Sequence, residues 1–244
     1  MDLIIDFYKD LNFLGPNCRN ESIKAINSIP LSSKKDIKVV DMGCGTGRQS
    51  EILANELNGK IIAIDLFEEF IESAKKRFFN NNLDIQAIVG DMANLHFCKE
   101  EFDLIYSEGA IYSMGFEKGI NYWKKFIKPE GYLIVSEVSW LTEKRPREIQ
   151  SYWDLEYSEI DTIENKLYQL KKAGYRIINH FTLAQKCWKN YYSHVEKHFN
   201  AFLKRNKHSK ESIQFTEELK HEINMYNKYK DYFGYEFYIV QKIS

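Results

Sequence analysis

Short apolar runs separated by segments of helical period dominate the first two thirds of the chain. Residues 37–42, 60–64, 85–89, 102–106 and 132–138 have the length and the β-branched and aromatic content of strands. Between them, apolar side chains return at helical spacing. Phe67, Phe70, Ile71, Ala74 and Phe78 fall on one face, as do Ile120, Trp123 and Ile127. Such alternation predicts an α/β fold, a three-layer Rossmann-like sandwich with a mostly parallel sheet and right-handed crossovers. In the last third, residues 161–174 read as a helix closed by a glycine C-cap, and 176–183 and 235–241 as two more strands. The polar, Tyr- and Lys-rich stretch 185–234 between them reads as one or two inserted helices. Residues 1–30 hold two helical stretches broken at Gly15-Pro16.

The turn that ends the first strand carries the first chemistry. In Asp41-Met42-Gly43-Cys44-Gly45-Thr46-Gly47-Arg48-Gln49, the glycines permit positive φ and close approach of backbone to a ligand. The helix that follows aims unpaired N–H groups at the same place. A glycine-rich turn alone is a weak signal, but its spacing here is GxGxG. The dinucleotide fingerprint wants a glycine where this chain has Arg48, which disfavours a nicotinamide dehydrogenase. Asp65 ends the next strand, about 20 residues on, where a carboxylate can accept both hydroxyls of a ribose. The bland alternative is an acid that caps the next helix.

With these pieces in register the chain resembles the class I S-adenosylmethionine-dependent methyltransferases. Asp41, Gly43, Gly45 and Gly47 match the family's first motif, which holds the methionine part of S-adenosyl-L-methionine, and Asp65 matches the ribose-binding acid. Gly90-Asp91-Met92 matches the adenine-framing turn, and residues 102–108 match the fourth motif, which faces the reacting methyl. The resemblance implies a cofactor-binding set of Asp41, Gly43, Gly45, Thr46, Gly47, Gln49, Asp65, Leu66, Gly90, Asp91, Met92 and Ser107. It also implies a seven-stranded sheet whose last strand runs antiparallel. One domain over 1–244 is expected: an N-terminal helical extension (1–33), a cofactor-binding core (34–140) and a C-terminal part with the inserts and last two strands (141–244). Residues 107–112, with Ser136-Glu137, Ser139-Trp140 and Arg145-Pro146, resemble a bacterial subgroup of small-molecule methyltransferases. No Asn-Pro-Pro-Tyr type motif or Pro-Cys nucleophile follows the fourth strand, which disfavours amide, adenine-amino and cytosine-C5 methylation.

The expected activity is thus in-line methyl transfer to a small-molecule acceptor, with Glu108 and Tyr112 as catalytic candidates. Glu137 and Trp140 are further candidates for the site, and Phe7, Tyr8 and Phe13 for a lid. A non-catalytic S-adenosylmethionine-binding or regulatory module is the alternative. Charge is balanced, 34 Lys+Arg against 35 Asp+Glu, which argues against nucleic acid as partner. No run reaches the roughly 18–20 apolar residues of a membrane span. The acidic N-terminus lacks a signal peptide's basic region. The four cysteines, Cys18, Cys44, Cys98 and Cys187, show no framework spacing and read as reduced thiols, so a cytoplasmic location is expected. His194 and His198 share a helix face, but no third ligand accompanies them, and no metal is expected. The basic run 204–210 reads as a solvated helix end. Aromatic residues make up 15% of the chain, and some could line a ligand cavity.

Overall fold

The computed structural model describes residues 3–243; Met1, Asp2 and Ser244 lie outside the described residues. Five strands pair in parallel: β1 (Ile37–Met42), β2 (Gly59–Asp65), β3 (Ile85–Val89), β4 (Phe102–Glu108) and β5 (Ile127–Trp140). A two-residue β6 (Asp161–Thr162) joins the end of β5. β7 (Tyr175–Thr182) and β8 (Phe233–Lys242) complete the order β3-β2-β1-β4-β5-β8-β7. β8 is antiparallel to both neighbours, so the long strands are the seven expected and the last one runs backwards.

Inner strands of such a sheet are buried on both faces, so successive residues serve different layers. Val39 packs into the layer built by α2 (Arg19–Ile26), α3 (Arg48–Glu56) and the C-terminal helices. Its neighbour Val40 packs the other way, against Ile120 and Trp123 of α5 (Phe116–Trp123) and Leu170 of α7 (Ile163–Lys172). Phe70, Ile71, Ala74 and Phe78 form the buried face of α4 (Glu68–Asn80). Ile127 departs from the helical expectation: α5 stops at Trp123, a short 3-10 turn follows, and Ile127 opens β5. Pro129 forbids helix there, because it pushes the residue before it towards extended backbone. α7 is capped by the Thr162 hydroxyl, which accepts the Asn165 N–H at 3.2 Å, and it ends ahead of Gly174 at φ +80°.

The 185–234 stretch folds as two long helices, α8 (Gln185–Arg205) and α9 (Lys210–Tyr229). They run antiparallel, since Trp188 near the start of α8 stacks on Tyr226 near the end of α9. At the far end Phe202 meets Phe215. α1 (Leu3–Tyr8) packs beside α8, and the Asp6 carboxylate accepts hydrogen bonds from Arg205 and Asn206, both at 2.9 Å. The basic run is therefore not merely solvated: Arg205 clasps α1. A further correction concerns the cysteines. Cys18 and Cys187 form a disulfide that joins the start of α2 to the start of α8, leaving Cys44 and Cys98 free. A separation of 169 residues gave no spacing from which to read that pairing. No helix among the described residues is long and apolar enough to cross a membrane.

Candidate active site

The carboxyl ends of the parallel strands open into a cavity of about 540 Å³, within the usual range for small-ligand sites. Its floor is the turn after β1. A side chain on Gly43 would collide with Ala110, and one on Gly47 would lie 2.6 Å from the Phe78 ring. Gly43 and Gly47 also have φ of +71° and +81°, values that favour glycine. The β2-end carboxylate is tied to this turn: Asp65 accepts the Gly45 N–H at 2.8 Å and the Phe67 N–H at 3.1 Å. With its remaining lone pairs it faces the cavity, as do Leu66, Gly90, Asp91 and Met92. Asp91 holds the turn after β3 by accepting the Ala93 N–H at 2.8 Å.

Three of the expected cofactor ligands stand behind the cavity wall. Asp41 is buried and accepts a 2.6 Å bond from Ser50, so it braces the turn from beneath. The Asp41 carboxyl is pushed up to about 7, chiefly by burial and also by the nearby charges of Glu108 and Asp65. The Ser107 hydroxyl donates to the Met42 carbonyl at 3.0 Å, which joins β4 to β1, and the residue is fully buried outside the cavity lining. Gly47 is taken up by the close packing on α4 just described. Thr46 and Gln49, by contrast, line a side recess of about 60 Å³ that opens off the same glycine turn.

Glu108 lies in that recess and not in the main cavity. Its Oε2 accepts from Tyr106 at 2.6 Å and Ser22 at 2.9 Å, while its Oε1 is buried without a partner. Burial raises its pKa to about 7, and the bonds from Tyr106 and Ser22 offset only part of that effect. Arg48 shares the recess, its guanidinium 4.2 Å over the Phe13 ring and its Nε also buried without a partner. Two orphaned polar atoms of opposite charge beside a helix N-terminus fit the zwitterionic end of an amino acid. The sequence had used Arg48 only as an argument against a dinucleotide. Its signal as a ligand lay in its place directly after the third glycine of the turn.

Tyr112 does line the cavity. Burial raises its pKa, and the charges of Glu137, Glu222 and Asp65 add to that effect. Glu137 and Trp140 do not reach the cavity. Glu137 is fully buried in an ion pair with Lys166 at 3.4 Å, and Trp140 is buried beneath Arg145, which stacks 4.0 Å over its ring. The lid residues separate likewise. Phe7 is core, packed on Phe202 and Phe215; Phe13 supports Arg48; Tyr8 alone of the three faces the cavity, 3.1 Å from the Tyr191 hydroxyl. His194 and His198 pack against Phe13 and Phe7.

The roof is made of residues that the pattern of the sequence did not single out: Tyr152 and Trp153 of α6 (Arg147–Glu156), Trp188, Tyr191 and Tyr192 of α8, Glu222 of α9, and Phe233 and Tyr235 of β8. In one dimension the helical ones look like ordinary amphipathic-helix core, and Phe233 and Tyr235 like the start of a buried strand. Only the hairpin of α8 and α9 over the strand ends turns that face towards a ligand.

Comparison with known proteins bears on the family and the fold. The sequence profile of a family described as "Methyltransferase domain" matches residues 33–228. YodH of Bacillus subtilis, an uncharacterized methyltransferase, is 29% identical over 119 residues, 49% of this chain and 51% of its own. The chain thus spans about half the length of that relative. Among solved structures, YjhP of E. coli superposes with a TM-score of 0.85 at 19% identity, covering 98% of this chain and 99% of its own. A SAM-dependent methyltransferase of Geobacter sulfurreducens, solved with S-adenosyl-L-homocysteine, gives 0.85 at 16% identity, with 98% and 97% covered.

Proposed function

Because the chain belongs to the methyltransferase-domain family, we propose that it transfers a methyl group from S-adenosyl-L-methionine to a small molecule held under the roof. One observation carries the reading. The glycine turn, Asp65 and the Arg48–Glu108 recess form a continuous surface that opens directly into an enclosed aromatic chamber. S-adenosylmethionine supplies a methyl group already activated on a sulfonium. The protein's part is to bind, orient and exclude water, which can account for most of such a rate enhancement. Asp65 takes the ribose hydroxyls, Asp91 and Met92 frame the adenine, and Arg48 and Glu108 take the carboxylate and ammonium of the methionine tail. Glu108 is thus a cofactor ligand and not a base for the acceptor, whereas Tyr112 stays on the acceptor side. An acceptor of chamber size is a metabolite and not a polymer.

The test is calorimetry with S-adenosylhomocysteine and with NADH, followed by a screen of metabolite classes for S-adenosylhomocysteine release. Binding of the first ligand alone, with release on addition of small acceptors, is the expected result. Tight NADH binding without S-adenosylhomocysteine binding overturns the reading. Methyl incorporation into RNA or protein in place of metabolites overturns the small-molecule part.

A further inference from the structure

The charges of the cavity are one-sided. Among the described residues its lining includes Asp65, Asp91 and Glu222, but no lysine, arginine or histidine. The first two belong to the nucleoside end. Glu222 stands apart from them, on α9, among the rings of the roof. Its Oε1 accepts the Tyr192 hydroxyl at 2.9 Å. The only other charged group with a marked effect on it is Glu156, which repels it. Its influence extends to Tyr8, Tyr112, Tyr152, Tyr191 and Tyr235. The carboxylate shares the cavity lining with Tyr152, Trp153, Trp188, Tyr191 and Tyr192, and no cation stands in that lining among the described residues. Burial pushes the Glu222 pKa up, with the Tyr192 bond opposing.

An uncompensated carboxylate in an apolar enclosure is costly unless something pairs with it. Aromatic faces and a carboxylate share one preferred guest, a cation of nitrogen: the rings attract it through their quadrupoles, and the carboxylate through a charge-assisted hydrogen bond. A neutral apolar acceptor would leave Glu222 with the Tyr192 hydroxyl but no countercharge. A carboxylic or phosphorylated acceptor would meet three acids and no cation.

We infer that the methyl acceptor is an amine, anchored by Glu222 and enclosed by the rings of the roof. This rests on the methyl-transfer reading above. The step balances as a displacement. The amine, having first lost a proton to water, directs its lone pair at the methyl carbon. The new N–C bond forms as the S–C bond breaks, and the electron pair of that bond stays on sulfur. Positive charge moves from sulfur to nitrogen, so a carboxylate near the nitrogen stabilises the product ammonium more than the neutral amine. The methylated ammonium then releases its proton, unless it has become quaternary.

Two measurements on the full chain test the inference. The first is binding of tetramethylammonium, with tert-butanol as its uncharged counterpart, to protein saturated with S-adenosylhomocysteine. The cation binds at least tenfold more tightly, and Glu222→Gln sharply reduces the preference while S-adenosylhomocysteine affinity is unchanged. The second is turnover of amines against alcohols and carboxylic acids of the same skeleton. Amines are turned over, the product carries an N-methyl group by mass spectrometry and NMR, and Glu222→Gln raises KM for them roughly 10- to 100-fold, the size of a charge-assisted bond. Equal binding of tert-butanol, an unaltered Glu222→Gln variant, or preferred turnover of alcohols or acids overturns the amine assignment and leaves the methyltransferase reading intact. Failure to bind S-adenosylhomocysteine instead defeats that earlier reading. If no skeleton is turned over, the binding measurement decides.

Discussion

On the floor of the cavity the lining is glycine backbone and two carboxylates at strand ends, whereas the roof presents aromatic rings and one carboxylate from helices and β8. The floor is fixed by hydrogen bonds within a few residues of the sheet, such as Gly45 to Asp65 and Ala93 to Asp91. The roof is held by contacts across the whole chain: Tyr8 to Tyr191, Arg205 to Asp6, and the Cys18–Cys187 disulfide. A floor of this kind suits a ligand that never changes, because backbone geometry tolerates few substitutions. A roof of side chains can alter its guest by single replacements without disturbing the sheet. The difference suggests that the two halves can be damaged separately.

The largest effect is expected at the roof's covalent tie. Removing a disulfide of this span typically costs about 2–4 kcal/mol, so Cys18→Ser should lower Tm by roughly 4–16 °C in a chain of this size. Reduction of the wild type should have the same effect. Binding of S-adenosylhomocysteine at 20 °C should stay near wild type, since no floor contact is lost. An unchanged Tm, or equal gel mobility with and without reductant, would show that the tie does not hold the roof in solution. A loss of cofactor affinity in parallel would show that roof and floor are not separable.

A matched pair of substitutions tests the boundary itself. Asp65→Ala removes a charged hydrogen-bonding partner of the floor, worth about 1.5–3 kcal/mol, and should weaken S-adenosylhomocysteine by roughly 10- to 100-fold. Tyr112→Phe removes one hydroxyl at the junction. It should leave that affinity in place and reduce kcat/KM for the acceptor about tenfold, close to 1.4 kcal/mol. If Tyr112→Phe instead loses affinity in step with activity, the ring belongs to the floor.

The same boundary separates what could be read in the sequence from what could not. The strands of the sheet and the glycine turn are local patterns: short apolar and β-branched runs, 3.6-residue period between them, GxGxG, an acid about 20 residues on. All seven long strands lie where those patterns put them: β1 and β3 match the expected bounds, and the ends of the others shift by at most five residues. Trp188, Tyr192 and Glu222 have no such pattern, because a ring facing a ligand and a ring facing core occupy the same helical positions. Ser107 misled for a related reason. It sits at the matching place in the fourth strand, yet its side chain alternates inward to the Met42 carbonyl. Glu108, one residue later, points to the recess, where a distinction between acceptor side and methionine side depends on the curvature of the sheet.

The smallest predicted effect concerns the recess, which decides whether Glu108 belongs to the floor. Burial raises its pKa from an ordinary 4.5 to about 7 in the folded protein. Between those values the folded state holds more protons than the unfolded one, so stability falls as pH rises, and the fall is complete once the folded group has ionised. From pH 6 to pH 8 the decline attributable to this group is about 1 kcal/mol. Asp41, also raised to about 7 and repelled by Glu108, adds to the slope. Glu108→Gln should therefore be more stable than wild type at pH 8, and the advantage should shrink towards pH 5. Saturating S-adenosylhomocysteine supplies an ammonium that keeps Glu108 charged, which should flatten the wild-type slope. Thermal melts at three pH values, with and without ligand, provide the measurement. A slope that the ligand leaves unchanged, or that survives Glu108→Gln, would mean that the methionine tail does not meet this carboxylate. Glu108 would then be a purely structural member of the Tyr106–Ser22 cluster, and the floor would end at the glycine turn.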